Sequence, residues 1–253
     1  LFDDLVVAAH YSELIRDGYL VPCMVYEPPY VLDSDELALD PVAAYQRYAA
    51  GSQAFCFSRL VQRATDIAEQ FTATGAPSAV VHGGMTTSDR DSALERFRRC
   101  ELRVLSNCNV LSEGVDVPSA QTVILAKRLL FAGSYIQIAG RILRPFPGKA
   151  HAILVDLVGA TILHGYPTED RLYSLDGNGI TRTSVPSLRV CQSCGATVLS
   201  AYLKCTGCGF VFPRPVDEGP TIYSMELRKV FAGADTPSSA KVREWARVRS
   251  LVS

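Results

Sequence analysis

Residues 54–81 have the sequence AFCFSRLVQRATDIAEQFTATGAPSAVV, and this stretch decides the fold. The apolar segment Ala54–Phe57 predicts a short buried strand, and Val61–Thr72 has the spacing of an amphipathic helix. A second apolar strand is predicted at Ala79–Val81. A strand, a helix and a strand in this order are typical of a parallel sheet covered by helices.

The same alternation continues on both sides of this stretch. The further predicted elements are a strand at Leu5–Ala8, a helix ended by Gly18, a strand at Cys23–Tyr26, a helix at Ser88–Arg98, strands at Arg103–Leu105 and Thr122–Leu125, a helix at Ser134–Leu143 and a strand at His151–Asp156. We therefore expect an α/β fold with a parallel sheet and helices on both faces. In such a sheet, ligands bind at the carboxyl ends of the strands.

Length and composition allow one sizeable core and a small additional module. The chain has 253 residues, of which 48% are hydrophobic, and no apolar run approaches the roughly 20 residues that cross a bilayer. The first residues also lack the order of a secretory signal. We expect a soluble, cytoplasmic protein without membrane contact. Because the chain begins with Leu1 rather than Met, we also expect it to be a fragment of a longer protein.

Four of the eight cysteines have the spacing of a metal site. Cys191 and Cys194 form one C-x-x-C pair, and Cys205 and Cys208 form a second. Such pairs predict a closed, structural zinc site with four thiolate ligands. A redox pair and an iron–sulfur cluster are the alternatives. The predicted zinc ribbon occupies residues 187–214, after a linker at 161–186.

The residues after the cysteines predict a helical, basic tail at 215–253. Its helices are expected at Ser224–Phe231 and Ser239–Leu251. Residues 182–253 hold 10 Lys and Arg against 5 Asp and Glu. A basic segment of this kind is compatible with nucleic-acid binding and with an ordinary solvated surface.

The string YIQIAGRILRP at 135–145 carries the strongest functional pattern. Gln137, Gly140, Arg141 and Arg144 are separated by three, four and seven residues, and these offsets fall on one face of a helix. Two guanidinium groups and a carboxamide on one face suit a polyphosphate, because each arginine remains charged and offers a planar fork of donors. The alternative is a solvated helix face whose arginines pair with nearby acids.

Three other strings precede this one in a particular order. They are AFCFSR at 54–59, the segment from Val81-His82-Gly83-Gly84-Met85 to Arg90, and NCNVLSEGVDVP at 107–118. Together the four strings resemble the motifs of the C-terminal RecA-like lobe of superfamily 2 helicases of the DEAD/DEAH type. With the zinc ribbon, the chain is similar to the bacterial and phage branch of these proteins. The resemblance covers the predicted lobe at 22–160.

The resemblance implies roles for individual residues. Arg141 and Arg144 would be catalytic arginines at the γ-phosphate, in an enzyme that uses ATP with magnesium to move on nucleic acid, with DNA preferred over RNA. The residues implied to contact the nucleotide are Gly114, Asp116, Gln137 and Gly140. The residues implied to contact nucleic acid are Ser58, Arg59, Gly83, Arg90, Asn107 and Asn109. Cys108 stands where many relatives have a threonine that binds a strand phosphate, and Asn107 or Asn109 could replace it.

The sequence has no G-x-x-x-x-G-K-[ST] loop and no Asp-Glu-x-His/Asp string. In the family those elements belong to the first RecA-like lobe, and residues 1–21 resemble the segment that leaves that lobe. We therefore expect ATP and magnesium to be held mainly by a missing first lobe, and the fragment to be inactive alone. Two rival hypotheses are a non-catalytic module that binds nucleic acid or a partner, and a duplex translocase that does not separate strands.

Overall fold

The computed structural model of the protein describes residues 7–33, 36–108, 110, 115–171, 188–195, 197–199, 204–211 and 219–232. These residues belong to two compact units. The larger unit, the main lobe, contains the described residues of 7–171 and 220–232. The smaller unit contains those of 188–219 and includes the four paired cysteines. In sequence, the cysteine unit therefore lies between two parts of the main lobe.

The helices and strands of the main lobe follow the predicted alternation. They are α1 (Tyr11–Arg16), β1 (Cys23–Glu27), β2 (Glu36–Leu37), α2 (Pro41–Tyr48), β3 (Ala54–Ser58), α3 (Val61–Ala73), β4 (Ser78–His82), α4 (Thr87–Arg98), β5 (Val104–Cys108), β6 (Thr122–Ala126), α5 (Ala132–Gly140), β7 (Ala152–Asp156) and α6 (Ala160–His164). The cysteine unit contains β8 (Leu188–Val190) and β9 (Thr197–Leu199), and the main lobe resumes with β10 (Thr221–Ile222) and β11 (Arg228–Ala232).

The core of the main lobe is a seven-stranded sheet. Its strands are ordered β11-β1-β7-β6-β3-β5-β4, and all neighbouring pairs are parallel except β11 with β1. Every residue of β3, β5 and β7 is buried. Strands that are covered on both faces have continuous apolar sequences, and this explains why they could be located from the sequence. The predicted α/β fold is confirmed.

The helices that cover the sheet carry local signals of their own. The Asp40 carboxylate accepts hydrogen bonds from the backbone N–H groups of Val42 and Ala43, and Pro41 is the first residue of α2. Helix α3 packs Ala64, Ile67, Ala68 and Phe71 against the sheet. This apolar stripe is the one that predicted the helix.

The segment after the cysteine unit differs from the prediction. The predicted helix at Ser224–Phe231 is wrong, because 228–232 forms strand β11, which pairs with β1 in the register Glu27 opposite Arg228. Glu27 is only 1% exposed and forms an ion pair with Arg228. Sheet pairing and this charge contact override a weak helical pattern. The part of the tail at 220–232 therefore belongs to the main lobe.

Several predicted boundaries also change. Residues 7 and 8 form no strand, while Leu5 and Val6 lie outside the described residues. Strand β5 extends to Cys108 rather than ending at Leu105. The second predicted tail helix at Ser239–Leu251 and most of the predicted linker also lie outside the described part of the chain. Among the described residues, no helix is both long and apolar enough for a membrane span.

Candidate functional site

Helix α5 carries the arginines of the 135–145 string towards the amino edge of the sheet. The chain leaves β6 at its carboxyl end, and the parallel neighbour β7 begins at Ala152 on the opposite edge. The carbonyl of Leu143 accepts a hydrogen bond of 2.8 Å from the N–H of Val21, just before β1. The arginines therefore lie near the amino ends of the strands, and not at the carboxyl ends where the sequence analysis expected ligands.

The end of α5 differs from the single helical face that the spacing predicted. The helix ends at Gly140, and Arg141 is its C-cap residue. The N–H groups of Ile142 and Leu143 donate to the carbonyls three residues earlier, at 3.2 and 3.3 Å. This is the tighter 3₁₀ pattern that often closes helices. Gln137 is exposed on the helix, whereas Arg144 lies beyond it.

Arg141 and Arg144 meet the segment that follows β5. The guanidinium of Arg141, which is half-buried, donates to the carbonyl of Val115. The guanidinium of Arg144 forms an ion pair with Asp116, and their side chains are 48% and 65% exposed. Three of the predicted nucleotide residues, Asp116, Arg141 and Arg144, thus form one group, which we call the arginine cluster. Gly114 lies outside the described residues.

The arginine cluster holds its charges at an accessible surface. The alternative of a local ion pair holds for Arg144, which has an acidic partner. A pair of this exposure contributes only about 0–1 kcal/mol, because water screens both charges. An incoming phosphate can therefore replace the carboxylate at little cost. Arg141 is more firmly held, because its contact is with a backbone carbonyl of a buried residue.

The carboxyl edge of the sheet collects a second group of predicted residues. Ala126, Ser58, Cys108 and His82 are in register across β6, β3, β5 and β4. The residues that follow these strands lie on the same edge. Of these, Arg59 and Gly83 are exposed, and Arg90 in α4 is half-buried.

Two predicted nucleic-acid residues are buried at this edge. Ser58 is 3% exposed and Asn107 is fully buried, with its side-chain amide donating to the carbonyl of Cys56 at 3.0 Å. This burial disfavours direct strand contact by either side chain. Asn109 lies outside the described residues.

Cys108 and Lys127 are neighbours at the carboxyl edge. The thiol of Cys108 contacts the carbonyl of Arg59 at 3.1 Å. Burial raises the pKa of Cys108, and burial lowers the pKa of Lys127, with each group opposing the shift of the other. Lys127 is not among the site residues predicted from the sequence. A charged residue directly after an apolar strand was the signal that could have identified it.

Part of the main lobe matches a family of known proteins. Residues 38–145 match the family described as "Helicase conserved C-terminal domain". This part of the chain is therefore similar to helicase C-terminal domains. This match includes the strings at 54–59, 81–90, 107–118 and 135–145. It agrees with the resemblance on which the roles of these residues were predicted.

Individual relatives agree with the helicase domain. The chain is 25% identical over 177 residues to a 51.5 kDa protein of Lactococcus phage (isolate 7-9), covering 68% of this chain and 39% of the relative. It is 24% identical over 190 residues to the putative mitochondrial ATP-dependent helicase irc3 of Schizosaccharomyces pombe, covering 66% of this chain and 31% of the relative. The chain thus spans well under half the length of either protein.

A solved structure supports the fold of the helicase domain. A fragment of a putative HsdR subunit of a type I restriction enzyme from Vibrio vulnificus YJ016 aligns with a TM-score of 0.52 and 18% identity. The alignment covers 68% of this chain and 42% of that chain. The likeness concerns the arrangement of helices and strands.

The cysteine unit brings the four predicted ligands together. The sulfur atoms of Cys191, Cys194, Cys205 and Cys208 all lie within 4.8 Å of one another. The distances are 3.7 Å from Cys191 to Cys208 and 3.6 Å from Cys194 to Cys205. A tetrahedron with zinc–sulfur bonds of about 2.3 Å has sulfur–sulfur edges of about 3.8 Å. The cluster therefore fits a zinc ion, and these distances are too long for disulfide bonds.

The backbone around the cysteines explains this geometry. Gly195 and Gly209 follow the two C-x-x-C pairs with φ of 75° and 74°, a conformation that glycine adopts without strain. Their N–H groups donate to the carbonyls of Cys191 and Cys205 at 2.8 and 2.9 Å. Hydrogen bonds from backbone N–H groups, first that of Cys208, lower the pKa of Cys205 to about 7. The thiolate form that binds metal is thereby favoured.

Proposed function

We propose that this chain is the second motor lobe of an ATP-dependent helicase or translocase. The arginine cluster is the observation that carries the proposal. It places two guanidinium groups, from Arg141 and Arg144, at one edge of a helicase C-terminal domain. A non-catalytic module has no chemical need for this pair, which disfavours that rival hypothesis.

The proposed role of the cluster is electrostatic. ATP and magnesium are held by a separate lobe, since the sequence has no phosphate-binding loop of the G-x-x-x-x-G-K-[ST] type. When the two lobes approach, Arg144 leaves Asp116 and contacts the terminal phosphate, where charge accumulates during transfer. Arg141 stays on the carbonyl of Val115 and orients its remaining donors. Gln137 and Gly140 complete this side of the proposed nucleotide site.

The proposed nucleic-acid site is the carboxyl edge, with Arg59, Gly83 and Arg90. Contacts there would be made to phosphates, which give affinity without a choice of sequence. DNA is the working substrate, and RNA is tested beside it. The two sites lie at opposite ends of α5.

The cysteine unit is proposed to bind one structural zinc ion. All four ligands come from the chain, so the site leaves no open position for a substrate. When zinc is bound, it supplies a cross-link between the two C-x-x-C pairs. Its role is therefore to hold the unit folded and not to take part in the motor chemistry.

Replacing Arg144 tests the proposed function. In the protein that carries this chain together with an ATP-holding lobe, Arg144→Ala is expected to lower nucleic-acid-stimulated ATP hydrolysis by about 10³-fold or more, as for other arginines that act in phosphoryl transfer. ATP binding should be largely retained, because the separate lobe makes most contacts. Turnover is measured by phosphate release, and binding by a fluorescent ATP analogue.

A matched variant controls for the loss of one positive charge. Arg98 in α4 is also partly exposed and also paired with a carboxylate, that of Glu95, and Arg98→Ala should keep normal turnover. Normal hydrolysis by Arg144→Ala would remove its catalytic assignment. Nucleic-acid-stimulated hydrolysis by the present chain alone would contradict the need for a separate lobe.

A further inference from the structure

Lys127 occupies a defined place in the row of strand ends at the carboxyl edge. It follows Ala126, which is in register with Ser58 of β3, and Ser58 is in register with Cys108 of β5. Lys127 and Arg59 therefore follow adjacent strands. Neighbouring strands are about 4.8 Å apart, so the row of strand ends from Lys127 to Gly83 spans roughly 14 Å. An extended strand of nucleic acid can lie along an edge of this length.

The surroundings of Lys127 suit the binding of an anion. Its side chain is half-buried, and the loss of water around the ammonium group lowers its pKa. A partly desolvated cation gains more from an approaching anion than a fully hydrated one, because less water screens the charge. The ammonium is also a compact donor that binds phosphate as a point charge.

Three described polar side chains at this edge are poorly placed as phosphate donors. The thiol of Cys108 is directed at the carbonyl of Arg59, and a thiol is a weak donor in any case. Ser58 and Asn107 are buried. Lys127 lies close enough to Cys108 for the two groups to interact electrostatically.

We propose that Lys127 binds a backbone phosphate of the nucleic-acid strand at the carboxyl edge, beside Arg59. This inference rests on the proposed function and adds one residue to its nucleic-acid site. Because the contact is with phosphate, it is independent of base sequence and is the same for DNA and RNA.

The test measures strand binding by the chain itself. Fluorescence anisotropy of labelled oligothymidylate and oligouridylate, each about 20 nucleotides long, is followed over a range of salt concentrations. Lys127→Met keeps the length of the side chain and removes its charge. It is expected to weaken binding roughly fivefold and to reduce the slope of log K against log salt by about 0.7, the value for one lost contact with a single strand. Lys127→Arg should restore both.

Two further variants separate the possible outcomes. Lys229→Met removes an exposed lysine from β11, the edge strand at the opposite end of the sheet from β4. This variant should bind the strand like the parent. Arg59→Ala should weaken binding through the neighbouring contact. Binding by Lys127→Met equal to that of the parent, with Arg59→Ala impaired, would overturn the role of Lys127 and leave the proposed function standing. An absence of strand binding by the parent at low salt would overturn both.

Discussion

Replacing Arg228 with methionine is expected to destabilise the main lobe, because it removes the charge that compensates a buried carboxylate. Glu27 ends β1, and its Oε1 accepts a hydrogen bond of 3.1 Å from Nε of Arg228 and one of 3.4 Å from the hydroxyl of Tyr166. Methionine keeps most of the apolar stem of the arginine. The change is therefore mainly electrostatic, and it acts on the pairing of β11 with β1.

The expected loss of stability follows from the exposed fractions of the Glu27 and Arg228 side chains. Removing one partner of a fully buried pair costs about 3–5 kcal/mol, since the other charge is left uncompensated. Here Glu27 is 1% exposed but the side chain of Arg228 is 55% exposed, so water already screens part of the interaction. We expect about 2 kcal/mol, which for a chain of this size lowers Tm by roughly 4–8 °C.

Thermal unfolding followed by circular dichroism measures this loss in four proteins. They are the parent, Arg228→Met, Glu27→Gln and the double variant. The double variant should recover most of the lost stability, because a neutral amide leaves no buried charge. Arg47→Met is the control, because Arg47 and its partner Glu226 are both exposed. A Tm of Arg228→Met equal to that of the parent, or a double variant no more stable than Arg228→Met, would show that the buried charge of Glu27 does not need Arg228.

Two further predictions concern the backbone and the cysteines. Gly159→Ala is expected to cost clearly more stability than Gly148→Ala. Both glycines have φ near 80°, so the backbone strain is similar. A Cβ on Gly159 would lie 2.7 Å from Cα of Val31, whereas a Cβ on Gly148 would meet nothing within 4 Å. Equal losses in urea denaturation would show that the close contact is unimportant. The purified chain should contain about one zinc ion. In the zinc-bound chain, iodoacetamide should label the exposed Cys100 before the buried Cys23 and Cys56, because burial raises the pKa of both buried thiols to about 12. After the zinc is removed with a chelator, mass spectrometry should also detect label on Cys191, Cys194, Cys205 and Cys208. Labelling of these four cysteines while the chain still holds its zinc would rule out the four-thiolate site.

Strands such as β3 and β7 could be predicted from the sequence because they are buried on both faces. Such strands are short apolar runs, as at Ala54–Phe57, and they are recognisable without knowledge of their partners. Strand β11 is different, since only Ala232 in it is buried. Its conformation depends on pairing with β1, which is some 200 residues away, and a local pattern cannot reveal such a partner.

The geometry of the candidate site could not be predicted from the sequence. The spacing of Gln137, Gly140, Arg141 and Arg144 assumed a helix to Leu143, and the helix ends at Gly140. The arginines contact Val115 and Asp116, which lie more than 20 positions earlier in the sequence, and helical spacing alone cannot predict such contacts. The burial of Ser58 and Asn107 was likewise not visible, because the last residues of a strand can face the solvent or the core.

Helix α5 connects the two proposed sites and so fixes their separation. Lys127 precedes it at the carboxyl edge, and Arg141 caps it at the amino edge. Its nine residues span about 13 Å at 1.5 Å per residue, and Tyr135, Ile138 and Ala139 pack it into the core. These buried contacts hold the short helix against the core. Under the proposed function, the nucleic-acid contacts of this lobe move together with its arginine cluster, as a motor lobe requires.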